Sequence, residues 1–265
     1  MRRHGTQPED QMNKPLRTAL AAGIFIAGAV GGASAGATGT KVTTRVDNVA
    51  MKVYDLTPTD DQAAGYSISA LTTKLTATKL YGDYESKTET LTGAGDVSVT
   101  RGGSSAYATW HGGVGQLDLV VTSNYDAPTT FRALAVQTFV VTVAPHSAFV
   151  LSGTSVLQGN AYGPNATNYS TNALVVSFDN GNPEYRNRDR FWKYGYYHNV
   201  NESADFALSF ANTMDYAQDV TVTFDMSAEG LVSLVPEPSS YLMMGLGLFG
   251  LLGHARMRRK GVLKA

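Results

Sequence analysis

The chain has no cysteine. That excludes disulfide staples, a Cys-ligated metal and a thiol nucleophile, so stability must come from packing. Between residues 36 and 235 no stretch keeps a 3.6-residue apolar period long enough to promise a long helix. A basic face is missing as well. Residues 36–238 hold 12 Lys/Arg against 20 Asp/Glu, a net charge of −8 that the near-neutral whole chain conceals. An acidic body argues against a nucleic-acid partner, whose phosphates require the opposite sign, and suits an exported soluble domain. Catalytic signatures are equally scarce. The body's three histidines, His111, His146 and His198, show no metal-ligand spacing, and no Gly-x-Ser-x-Gly elbow occurs. Arg101-Gly-Gly-Ser-Ser105 reads as a glycine turn, too short to cradle a phosphate.

What is present is β-strand pattern. Apolar and β-branched residues alternate in short runs broken by Gly, Asn, Asp and Pro. The runs predict strands over Lys41–Tyr54, Ser67–Leu75, Asp96–Thr100, Gln116–Ser123, Ala135–Ala144 and Ser147–Gly153. Further strands are expected at Ala173–Asp179, Ala204–Ala211 and Asp219–Ala228. Ala144-Pro145-His146 reads as a corner, because proline cannot donate to a central ladder. Two echoing segments, Leu174–Asn180 and Phe206–Asn212, each end in Ser-Phe-x-Asn, which places Phe178 and Phe210 in the core. About 200 residues suffice for one sizeable core. The fold expected is all-β, an antiparallel sandwich of jelly-roll or Ig-like kind over residues 36–234.

The two ends read as addresses. Lys14 and Arg17 precede an apolar stretch, Ala19–Val30, and Ala33-Ser34-Ala35 supplies a small-residue cleavage site. Residues 1–35 are therefore expected to be a signal peptide cut after Ala35, with Met12 an alternative start. At the other end stand Pro236-Glu237-Pro238, the thirteen-residue uncharged run Tyr241–Gly253, and the basic stop Arg256, Arg258, Arg259 and Lys260. The run falls short of the roughly 20 residues of a full span, yet it can lodge in a bilayer as a short hydrophobic helix with its basic cluster held at the cytoplasmic side.

This order resembles the PEP-CTERM sorting signal of Gram-negative bacteria. The resemblance covers residues 235–260 and implies recognition by an exosortase, a membrane-embedded cysteine protease, near Pro236–Pro238. It also implies passage through the general secretion machinery, transient anchoring in the inner membrane, and a cell-surface or extracellular destination among exopolysaccharides and biofilm.

Two segments of the body are candidates for binding. Residues 184–198 hold six aromatics and four basic residues. Within them Tyr185, Arg188, Arg190, Trp192, Tyr194, Tyr196 and Tyr197 are the residue types that stack on sugar faces and donate to hydroxyls, or that build protein interfaces. The competing reading is an ordinary strand with Phe191 half buried and the arginines in solvent. The second segment, Asp179, Asn180, Asn182 and Glu184, gathers hard oxygen ligands in a turn that could take calcium, although Asx-Gly-Asn clusters are also what any β-turn selects. No other cofactor is expected. The functional expectation is a non-catalytic, exosortase-sorted surface or matrix protein associated with extracellular polysaccharide. The alternatives are a secreted glycan lyase or hydrolase on a sandwich scaffold, and an envelope protein whose tail stays in the membrane.

Overall fold

The computed structural model describes residues 39–59, 61–80, 83–124, 130–161, 169–182, 186–196 and 199–231. The expected signal peptide with its cleavage site at Ala33 and Ala35, the sorting signal and the expected short hydrophobic helix all lie outside the described residues.

Twelve strands form: β1 (Gly39–Asp55), β2 (Tyr66–Lys79), β3 (Glu85–Leu91), β4 (Gly95–Arg101), β5 (Ser104–Trp110), β6 (Leu117–Asn124), β7 (Thr130–Val143), β8 (Ser147–Ala161), β9 (Tyr169–Asp179), β10 (Arg186–Tyr196), β11 (Val200–Asn212) and β12 (Gln218–Leu231). They pair antiparallel in two sheets of order β11-β8-β1-β6-β5-β4 and β10-β9-β12-β7-β2-β3. The antiparallel sandwich expected from the alternation is what forms. It has twelve strands, six in each sheet, more than the eight or so of a jelly roll and the roughly seven to nine of an Ig domain.

Nine strands lie where the alternation places them, and β3, β5 and β10 are additional. β3 is an exposed edge with no apolar face. β5 buries Ser104, Ala106 and Ala108 before Trp110, side chains too small to read as a hydrophobic run. The glycine turn at Arg101–Ser105 is the β4–β5 hairpin, with Gly102 and Gly103 at positive φ.

Strict two-residue alternation carries the core. Val220, Val222, Phe224, Met226 and Ala228 of β12 are all inaccessible to solvent, as are Phe139 and Val141 of β7 and Leu174 and Val176 of β9. An aromatic chain crosses between the sheets: Phe139 and Phe224 lie 6.4 Å apart, Phe224 and Phe206 6.2 Å, and Phe206 and Phe191 6.2 Å, measured between ring centroids. Phe178 and Phe210 are buried as expected, in opposite sheets.

β1 and β12 are the third strands of their sheets and face one another. Thr44 donates to the Ser227 carbonyl at 3.0 Å and Ser123 to the Gly230 carbonyl at 3.1 Å, joining the sheets. The first residue of β1, Gly39, pairs with Asn124, and the last of β12, Leu231, pairs with Thr130 and Tyr169. Both ends of the described body therefore leave from the same end of the sandwich.

Candidate functional site

β10 is an edge strand paired only to β9. Register opposes Phe191 to buried Leu174, and Arg188 and Arg190 to Ser177 and Val175 on the outer face. Phe191 is half buried and packs against the core, whereas Arg188 and Arg190 are exposed. That burial is the pattern of an ordinary edge strand, and it leaves both arginines in solvent beside a half-buried ring. Trp192, Tyr194 and Tyr196 pair in backbone register with Ala173, Thr171 and Tyr169. Tyr185 and Tyr197 fall outside the described residues.

The neighbour of β10 across the sandwich is β11. Asn187 ties the two together low on the strand, its Nδ2 donating to the Ser209 carbonyl at 3.0 Å. Higher up the strands part. Glu202 and Ala204 of β11 pair with buried Leu157 and Ser155 of β8, yet both are exposed, because the sandwich edge opens there. The opening is a cleft of about 190 Å³ lined by Ser155, Leu157, Arg190, Phe191, Glu202 and Ala204. That is smaller than the roughly 300–1,000 Å³ of pockets that enclose a small molecule, so it is a groove on an edge. It combines an aromatic wall, a carboxylate and serine hydroxyls, with Arg190 at its border, the groups that contact a sugar's apolar face and its hydroxyls. Its described lining holds one carboxylate, whereas glycoside hydrolysis uses a pair.

The sequence pointed to Arg190 but not to Ser155, Leu157 or Glu202. Ser155 and Leu157 lie on β8 and Glu202 on β11, 45 residues beyond Leu157, and only the sheet pairing gathers them.

The Asp179–Asn182 turn sits at the opposite end of the sandwich from Gly39 and Leu231. Asp179 Oδ1 accepts from the Gly181 amide at 2.8 Å and Asn180 Oδ1 from the Asn182 amide at 3.1 Å. These are Asx turns, with Gly181 at φ 80°, so the turn's own amides use one oxygen of each side chain. Glu184 lies outside the described residues. Among the described residues no three His, Asp or Glu side chains cluster as a metal site. His111 and His146 each meet a carboxylate, Asp118 at 2.8 Å and Asp215 at 2.9 Å, on the surface.

The segment that follows β12 decides how the protein is sorted. Residues 234–260, starting three residues beyond the last residue of β12, match the PEP-CTERM protein-sorting motif. The chain carries a PEP-CTERM sorting motif. That match takes in Pro236, Glu237, Pro238 and the basic stop, and it marks the protein for export, recognition by an exosortase and sorting to the cell surface. No curated protein and no solved structure matches the chain.

Proposed function

We propose that this PEP-CTERM protein is a non-catalytic surface or matrix component that holds extracellular polysaccharide along the β10 edge. The exosortase releases its tail after transient inner-membrane anchoring. The observation that carries the reading is the sorting motif attached directly to a sandwich whose open edge sets Arg190 and Phe191 on a groove, with Arg188 exposed on the same strand. Association with exopolysaccharide and biofilm is what the PEP-CTERM resemblance implies, and the groove's chemistry supports it. The body needs no cofactor for this role.

The test is affinity electrophoresis of the mature protein in gels containing the exopolysaccharide of its own producer. Retardation that falls severalfold in Arg190→Ala and Trp192→Ala, with unchanged thermal unfolding, supports the proposal. Unretarded parent protein refutes it. Chain shortening of the polysaccharide, abolished by Glu202→Gln, would favour the enzyme reading instead, since Glu202 is the carboxylate in the groove.

A further inference from the structure

The placement of β12 constrains how the tail can be cut. β12 is not an edge that can fray. It is hydrogen-bonded on both sides to its final residue, Leu231 pairing with Thr130 and Tyr169, and Gly230 with Phe131 and Ser170. Behind these, Ala228, Met226 and Phe224 are inaccessible to solvent, and Glu229 is held by Arg132 at 3.2 Å. Releasing residues from this end breaks two ladders at once and then exposes core.

Between Leu231 and Pro236 lie residues 232–235, and five residue steps reach at most about 18 Å even fully extended. A peptidase groove binds its substrate as an extended strand over several residues. If three or four residues on the body side of the Pro-Glu-Pro enter the groove, the spacer is consumed.

We propose that the folded sandwich end is itself part of what the membrane-embedded peptidase must accommodate, and that residues 232–235 act as a minimum-length spacer. The spacer, whose last two residues also open the matched motif, is required for its length and not for its side chains. This inference rests on the exosortase-processing reading above. The surface brought against the enzyme is the end that bears Gly39 and Asn124. Asn124 adjoins Ser123, whose hydroxyl bonds the Gly230 carbonyl. The opposite end, with the Asp179–Asn182 turn, then points away from the membrane.

The experiment follows tail cleavage by pulse-chase in the producing strain and in a matched strain lacking exosortase. Three variants accompany the full-length parent: deletion of residues 232–235, their replacement by four Gly/Ser residues, and the deletion combined with Phe224→Ala, which loosens β12. The proposal expects the deletion to slow cleavage by about tenfold or more, a barrier change of about 1.4 kcal/mol. It expects the replacement to stay within about twofold of the parent, and the combined variant to regain cleavage as the strand yields. Limited proteolysis confirms that the deletion alone remains folded. A deletion cut at the parental rate overturns the proposal, as does a replacement that is not cut. Failure of the combined variant to regain cleavage also counts against it, because a steric block must lift when the strand loosens. A parent that is never cut in the exosortase strain defeats the processing reading instead, so the two failures are distinct.

Discussion

The amide of Gly115 donates to Oε1 of Gln137 at 2.6 Å, joining the β5–β6 loop of one sheet to the middle of β7 in the other. Gln137 is wholly buried, and its Nε2 serves Thr73 Oγ1 at 3.0 Å and the Gly113 carbonyl at 3.3 Å. The same carbonyl receives the Trp110 indole N–H at 2.7 Å. A glutamine at an inward position of a core strand would be costly alone. Here it is fully engaged, and it closes the sandwich where β4, β5 and β6 stop short.

Gln137→Leu leaves the Gly115 amide without its partner in a dry site, and an unmet buried donor costs about 1–3 kcal/mol. The variant should unfold at lower denaturant by that amount with an unchanged slope. Equilibrium urea unfolding followed by Trp fluorescence measures it, since Trp110 belongs to the same network.

Gly153 makes room for Phe206. A Cβ there would stand 2.6 Å from the Phe206 ring and 3.3 Å from the Asp47 carbonyl. Gly153→Ala therefore overpacks the aromatic chain that ends at Phe191, and should destabilise by about 1–3 kcal/mol. Because Phe206 adjoins Phe191, glycan retardation should weaken in the same variant even where it is folded. Gly93, with nothing within 4 Å of an added Cβ, is the control and should change neither.

Phe224→Ala removes a ring in contact with Phe139 and Phe206 from a central strand. A cavity at such a site costs about 3–5 kcal/mol. The expected outcome is a large loss of thermal stability, visible in calorimetry of the mature protein.

Asp225 sits on the outer face of β12 between Val136 and Val175. It reaches solvent, but this apolar setting desolvates the carboxyl and raises its pKa above the ordinary 3.8. A carboxyl whose folded pKa exceeds its unfolded one contributes stability below the unfolded value and loses it as pH rises through the folded one. Asp225→Asn should therefore melt slightly higher than the parent at pH 7, with the difference closing below pH 3.8. Paired melting curves across that range check both the sign and the window.

The sequence made most of the sandwich legible because its strands bury one face and follow period two, as Val220, Val222 and Phe224 do. Two strands escaped for physical reasons: β3 has no buried face and β5 presents alanine and serine inward, whereas β10, which mixes Arg with aromatics as an edge, was legible as a strand only beside a binding reading. Gln137 could not be read as a cross-sheet tie, because its partners Thr73, Gly113 and Gly115 are remote in sequence. The groove was half visible. Arg190 belonged to a conspicuous run, whereas Glu202 and Ser155 meet it only through the β8–β11 pairing. The sorting motif was the most legible of all, since its three parts are contiguous.

The central claim is that this body is delivered by export and then released from its tail. Intact-mass and terminal-peptide spectrometry of protein recovered from the native cell surface and medium, with and without exosortase, tests it most directly. The account predicts loss of residues 1–35 in both strains, and loss of the segment beyond Pro236–Pro238 only where exosortase is present. A mature protein that keeps Arg256–Lys260 in both strains would contradict it.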